Sequence, residues 1–124
     1  MFAEEDRETT ARETVQRKVL ECLNRFYAIE TGMWGDPVSC LMIRTIIKGR
    51  IEGRLYDVSS LATYLDLSLA TVHRKLKRIE ERGYVERRRE GRSVRLWPTA
   101  RVEEILDLNF DQMIETLRRL YKGG

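Results

Sequence analysis

Two cysteines and a single histidine are the whole supply of soft ligands and imidazole bases in these 124 residues. Cys22 and Cys40 stand far apart, with no CxxC pair and no Cys/His ligand spacing, so neither a disulfide framework nor a zinc site is expected. With His73 alone, a histidine-rich metal site is excluded and a nucleophilic triad has no ready base. There is no glycine-rich phosphate loop and no nucleophile set beside a base, so no catalytic residue, cofactor or metal is assigned and an enzyme is not expected. No apolar run approaches a membrane span, and Met1 to Thr10 is acidic where a secretory leader would be basic and then apolar. A soluble protein of a reducing cytoplasm, associated with the nucleoid, is the resulting expectation.

What the chain does have is charge, unevenly placed. Charged residues make up 35% of it and hydrophobic ones 42%, a globular balance, and the length suits one domain over residues 1–124. Between Ser68 and Arg95 there are ten cations against four anions, a net +6. The whole chain carries only +3, so everything outside that stretch sums to −3. A positive field confined to one quarter of a protein points to a polyanionic partner at that place. The plainer reading of any charge run is a solvated surface, so the frame that carries the charge decides between them.

That frame is legible. Asp57 caps a short helix to Leu65 whose Val58, Leu61, Ala62 and Leu65 turn one way. A turn at Asp66-Leu67 leads to Ser68, which caps a second helix from Leu69 to Arg82. There Leu69, Val72, Leu76 and Ile79 recur at helical spacing and are expected to face the core. The opposite face presents Ala70, Thr71, His73, Arg74, Lys75, Lys77 and Arg78: small and hydrogen-bonding groups first, cations after. A helix entering a major groove needs that order, because its first turns meet base edges while longer basic chains reach phosphates. Gly83 ends it. Two β-prone arms follow, Tyr84 to Arg89 and Arg92 to Trp97, around a turn at Glu90-Gly91. Val85, Val94 and Leu96 are expected inward, and Arg87, Arg88, Arg89 and Arg92 along the outside and tip.

Over roughly residues 38 to 100 this pattern resembles a winged helix-turn-helix of the MarR type. The matching residues are the helix from Asp57 to Leu65, the turn to Ser68, the helix from Leu69 to Arg82, the exit Gly83-Tyr84-Val85-Glu86-Arg87, and Arg95-Leu96-Trp97-Pro98-Thr99. The resemblance implies that the second helix is a recognition helix and the hairpin a wing touching the minor groove or backbone. The loop at Glu90-Gly91-Arg92 is shorter than that family's wing usually carries. The resemblance also implies an effector pocket between dimer helices and motif, although no residue identifies an effector.

The outer segments have their own pattern. Thr10 and Glu13 have capping-box spacing ahead of Val15, Val19, Cys22, Phe26 and Ile29, whose alternating steps of four and three make a heptad-like seam widened by Leu20, Leu23 and Tyr27. A helix over 11–30, stopped by Gly32, follows. Asp36-Pro37 starts another, to about Lys48, burying Val38, Leu41, Met42, Thr45 and Ile46. Leu55-Tyr56 is β-prone enough for a short third strand beside the wing. After Pro98, Thr99 caps a helix over 100–122, with Leu106, Phe110, Met113, Leu117 and Leu120 again stepping four and three and Gly123-Gly124 ending it.

The expected architecture is therefore mainly α with a small β-hairpin wing: a core over 36–97 flanked by two outer helices. Their seams exceed what so small a core needs, and a symmetric homodimer clasped through both helices would cover them. The competing arrangement packs the two helices on each other within one chain. The function expected is a transcriptional regulator binding double-stranded DNA as a homodimer. The alternative is a winged-helix interaction or architectural module without effector response.

Overall fold

A computed structural model describes residues 2–122 of the chain. The elements run α1 (Phe2–Trp34), α2 (Pro37–Glu52), α3 (Val58–Leu65), α4 (Leu69–Glu81), β1 (Val85–Glu90), β2 (Ser93–Pro98) and α5 (Ala100–Lys122). This is the mainly helical, single-wing architecture that the sequence predicts.

α1 is longer than its apolar series suggests. No capping box forms at Thr10, which lies inside the helix with its hydroxyl donating to the Asp6 carbonyl at 2.7 Å. Residues 2–8, ahead of the helix expected over 11–30, are helical too, and Met1 lies outside the described residues, as does the Gly123-Gly124 terminator. Gly32 does not stop the helix either. A glycine inside a helix costs only about 1 kcal/mol, and continuing the helix carries Met33 and Trp34 into the core. The stop comes at Gly35, whose φ of 97° is left-handed and whose N–H bonds the Thr31 carbonyl at 3.0 Å.

α2 starts where Asp36-Pro37 places it, with the Asp36 carboxylate accepting from the Ser39 N–H at 3.2 Å. It runs past Lys48 to Glu52 and closes on Gly53 at φ 72°. Gly49 therefore lies within it, and a reason is visible: a Cβ there would meet the Arg54 carbonyl oxygen at 2.6 Å and the Tyr56 ring at 3.0 Å. The chain leaving α2 folds back tightly across the helix, which only glycine permits. Cys40, Met42, Ile43, Ile46 and Ile47 make α2 the central buried rod, while Val38 and Leu41 are only partly covered.

α3 is closed at its start by a reciprocal box: Asp57 accepts from the Ser60 N–H at 2.7 Å and Ser60 accepts from the Asp57 N–H at 3.0 Å. Asp66 takes the left-handed turn at φ 54°, and α4 begins on Ser68. Val72, Leu76 and Ile79 of α4 are fully buried, but Leu69 is half-exposed. It lies in the first turn, ahead of the point where α4 meets the rest of the core.

The sheet has two antiparallel strands, with Val85 opposite Pro98, Arg87 opposite Leu96 and Glu90 opposite Ser93. The two-residue loop is thus Gly91-Arg92, one residue later than the sequence suggests, with Gly91 at φ 60°. Val94 shares a face with Leu96 but lies too near the tip to be covered, and is exposed. Leu55-Tyr56 does not form a strand. It contributes one backbone bond, Leu96 N–H to the Tyr56 carbonyl at 2.8 Å.

Thr99 fastens the wing to the last helix. Its hydroxyl donates to the Gly83 carbonyl at 2.6 Å and accepts from the Val102 N–H at 3.2 Å. α5 then packs along α1, with Thr116 buried and Ile105, Leu106 and Met113 reaching the core. The intrachain pairing of the outer helices weighed above as the competing arrangement is therefore present.

Candidate nucleic-acid interface

The site grows from the first turn of α4. Ser68 caps it, accepting from the Thr71 N–H at 3.1 Å and donating to the Thr71 hydroxyl at 2.9 Å. The two hydroxyls are thereby held against the helix start. Ala70, His73, Arg74, Lys77 and Arg78 are exposed on the face away from Val72, Leu76 and Ile79. Among the described residues, Arg74, Lys77, Arg78 and His73 make no ion pair. One member of the predicted set differs. Lys75 turns inward and donates to Asp36 at 3.0 Å, with its side chain only 17% exposed. On the helical wheel it lies beside Ile79, at the edge of the buried stripe, and its ammonium reaches the α1–α2 junction, so it does not share the outward face.

The wing is less cationic than its sequence. Arg87 is held to Glu80 of α4 by two bonds of 3.0 and 2.9 Å to one carboxylate oxygen. Arg88 pairs with Glu86 and lies over the Trp97 ring at 4.5 Å, while the Trp97 N–H donates to Glu90 at 3.2 Å. Trp97 is thus a stacking platform on the hairpin surface and is not core. Arg95 reaches back to Asp57 at 3.8 Å and the Leu55 carbonyl at 3.5 Å. Among the described residues Arg89 and Arg92 are the wing arginines that carry no ion pair, and both are exposed.

The carboxylates are what a reading for cations passes over. Glu86 and Arg88 are two apart on one strand and so share a face, which is a signal the sequence does hold. Glu80 and Arg87 meet only because the hairpin folds back on α4, and no local spacing predicts that.

Two carboxylates of the frame are perturbed. Partial burial works to raise the Asp36 carboxyl, but the hydrogen bonds from Ser39 and Lys75 outweigh it and hold the group far below the usual range. The bond from the Ser60 N–H lowers Asp57 in the same way. Cys40 is opposite: burial pushes its thiol up to about 11, so it is neutral and a poor nucleophile near pH 7. Among the described residues no cluster of acids, histidines and cysteines could hold a metal ion, and no helix is long and apolar enough to cross a membrane.

The predicted seam residues divide. Val15, Val19, Phe110 and Leu117 are exposed, as are Leu20, Leu23, Tyr27, Leu108 and Tyr121. Cys22, Phe26, Ile29, Leu106, Met113 and Leu120 are partly covered, and Ile29, Leu106 and Met113 pack on the core.

The sequence model of the penicillinase repressor family matches residues 57–122, which is α3 through α5 with the whole basic head. The chain belongs to the penicillinase repressor family. That is a family of winged-helix repressors. No curated protein matches the chain. Among solved structures it is similar to a protein of Clostridium acetobutylicum assigned to the MarR family of transcriptional regulators, with TM-score 0.71 and 16% identity over 93% of this chain and 84% of that one. A MarR family protein from Bacillus stearothermophilus gives TM-score 0.65 at 20% identity, over 93% and 80%. A MarR/EmrR family transcriptional regulator from Acinetobacter sp. ADP1 gives 0.56 at 24%, over 94% and 81%. The MarR-type winged helix expected from residues 38 to 100 is the fold that forms. The repressor family's match begins at Asp57, so α1 and α2 lie outside it, whereas the MarR-type structures extend over them.

Proposed function

We propose that this penicillinase repressor family chain is a transcriptional regulator that binds double-stranded DNA as a homodimer in the cytoplasm, α4 in the major groove and the wing on the backbone or minor groove. The observation that carries the reading is the exposed face of α4. Its Arg74, Lys77 and Arg78 lie together there with no carboxylate partner among the described residues, whereas Lys75, Arg87, Arg88 and Arg95 of the same basic head are each paired with an acid. Arg74 and His73 are the base readers, with Ser68, Ala70 and Thr71 at the groove floor or first phosphate. Lys77 and Arg78 hold phosphates. On the wing, Arg89 and Arg92 are free to meet DNA, while Arg87 and Arg88 reach it only by leaving Glu80 and Glu86. Lys75 is not assigned to DNA.

The apolar surface supports the dimer. α1 and α5 already cover each other, and yet Val15, Val19, Phe110 and Leu117 remain in water. Burying each such side chain fully is worth about 1.5–3 kcal/mol. We assign residues 11–30 and 100–122 to the dimer clasp and 36–97 to the DNA-binding core of one domain. A two-fold axis would then set two recognition helices about 34–36 Å apart, one turn of duplex.

Selection of bound sequences from a pool of random duplexes tests this. A consensus of two short inverted half-sites about one helical turn apart is expected. A pool that emerges unenriched, or a consensus without two-fold symmetry, contradicts it.

A further inference from the structure

Lys75 on the inner edge of α4 and Arg82, the exposed residue that caps its C-terminus, are seven residues and so about two helical turns apart. Both reach the same short piece of chain. Lys75 pairs with Asp36 at 3.0 Å, and Arg82 donates to the Trp34 carbonyl at 3.2 Å. Between these acceptors lies Gly35, where the chain turns from α1 into α2. A side chain at Gly35 would put its Cβ 2.8 Å from the Arg82 guanidinium. Cys40 adds a third fastening, its thiol lying 3.4 Å from the Glu30 and Gly35 carbonyls. The elbow is thus gripped from one side by the recognition helix and from the other by α2.

This geometry matters because of what each partner belongs to. Trp34 and Asp36 sit at the end of the helix that carries the proposed dimer surface, and Lys75 lies among the residues proposed to read DNA. Asp36 is also fully committed: one carboxylate oxygen takes the Ser39 hydroxyl at 2.7 Å, and the other takes Ser39 N–H and Lys75. A cation so placed is costly to move, since its half-buried carboxylate would lose its only ion-pair partner among the described residues. Core packing of Val72, Leu76 and Ile79 holds α4 against the protein, but apolar packing resists sliding and rotation less than a directed polar bond does.

We propose that Lys75 and Arg82 are positioning residues. They fix the angle of the recognition helix relative to α1, and through α1 the spacing of the two heads, without touching DNA. The proposal rests on the DNA-binding reading above, and its tests separate the two. Asp36→Asn keeps the helix cap, since asparagine caps as well as aspartate, but removes the ion pair. Lys75→Met keeps the aliphatic stem and removes the charge. The probes are a random-sequence duplex and the duplex enriched by the native protein.

Both variants are expected to bind the random duplex with the native salt slope, while their preference for the enriched duplex falls by roughly ten-fold, about what one mismatched base pair costs. The double variant should be no worse than either single one. If Lys75 instead binds a phosphate, Lys75→Met lowers the salt slope by about 0.9 and Asp36→Asn leaves the preference intact; that pair of results overturns the proposal. If the native protein binds no duplex, the DNA-binding reading is what fails, and hydrogen exchange then decides the positioning role. Faster exchange of α4 amides in both variants, with an unchanged rate in α5, supports it. Native protection of α4 in both overturns it.

Discussion

Gly32 and Gly49 both lie inside helices, and replacing each with alanine should have opposite effects. At Gly32 nothing lies within 4 Å of the added methyl, so Gly32→Ala should stabilise by about 0.5–1 kcal/mol through helix propensity. At Gly49 the methyl meets backbone at 2.6 Å, and Gly49→Ala should destabilise by about 1–3 kcal/mol despite the same gain in propensity. Urea unfolding of the two variants checks both signs. The single-residue scale also sets the pH behaviour of Asp36. Its folded carboxyl titrates below the unfolded one, so its contribution is present above about pH 4 and is lost as pH falls through the folded value. Asp36→Asn should therefore flatten the acid limb of the stability curve. Glycines are where sequence reading is weakest: Gly32 and Gly49 look like terminators, and only the neighbours in space reveal which ones the helix passes through.

Caps sort the elements. Asp57→Ala should cost about 1 kcal/mol because it removes half of a reciprocal box. Thr10→Ala should cost no more than a few tenths, because Thr10 caps nothing. Thermal unfolding of the pair shows whether α1 starts near residue 2 or residue 11, since a cap at Thr10 would make the two losses equal. On the wing, Glu86→Gln releases Arg88 from its carboxylate and removes a negative charge beside the proposed phosphate track. It should raise affinity for a random duplex at low salt, with a steeper salt dependence, in a fluorescence anisotropy titration. Most elements were legible because caps and apolar spacing are local: Asp36-Pro37, Asp57, Ser68 and Thr99 all open helices where the sequence places them. The wing's turn slipped by one residue, and Leu69, Val94 and Trp97 are more exposed than their hydrophobicity suggests. Leu69 and Val94 stand near the ends of their elements, where the core has run out, while Trp97, between the buried Leu96 and Pro98, takes the opposite face of the strand.

Across the whole molecule, the outer helices do two things with one seam. Part of it is covered within the chain, at Cys22, Phe26, Ile29 and Met113, and part stays in water at Val15, Val19, Phe110 and Leu117. Periodicity could not divide the seam, because a helix facing its own chain and one facing a second chain have the same spacing. Sedimentation should give twice the 14.7 kDa chain mass, and Val19→Glu with Leu117→Glu should shift it to the single-chain value while the far-ultraviolet signal stays helical; a native protein that sediments as one chain at micromolar concentration removes the clasp. The candidate interface was legible as a charge concentration, but its free and neutralised cations were not, since Glu80, Asp36 and the elbow meet them only in three dimensions. The central claim, that the outward face of α4 binds duplex DNA, is tested most directly by measuring random-duplex affinity against salt for the native protein and for Arg74→Gln with Lys77→Gln. The double variant should bind more weakly, and its log–log slope should fall by about 0.9 for each phosphate it no longer neutralises; an unchanged affinity with an unchanged slope would contradict the claim.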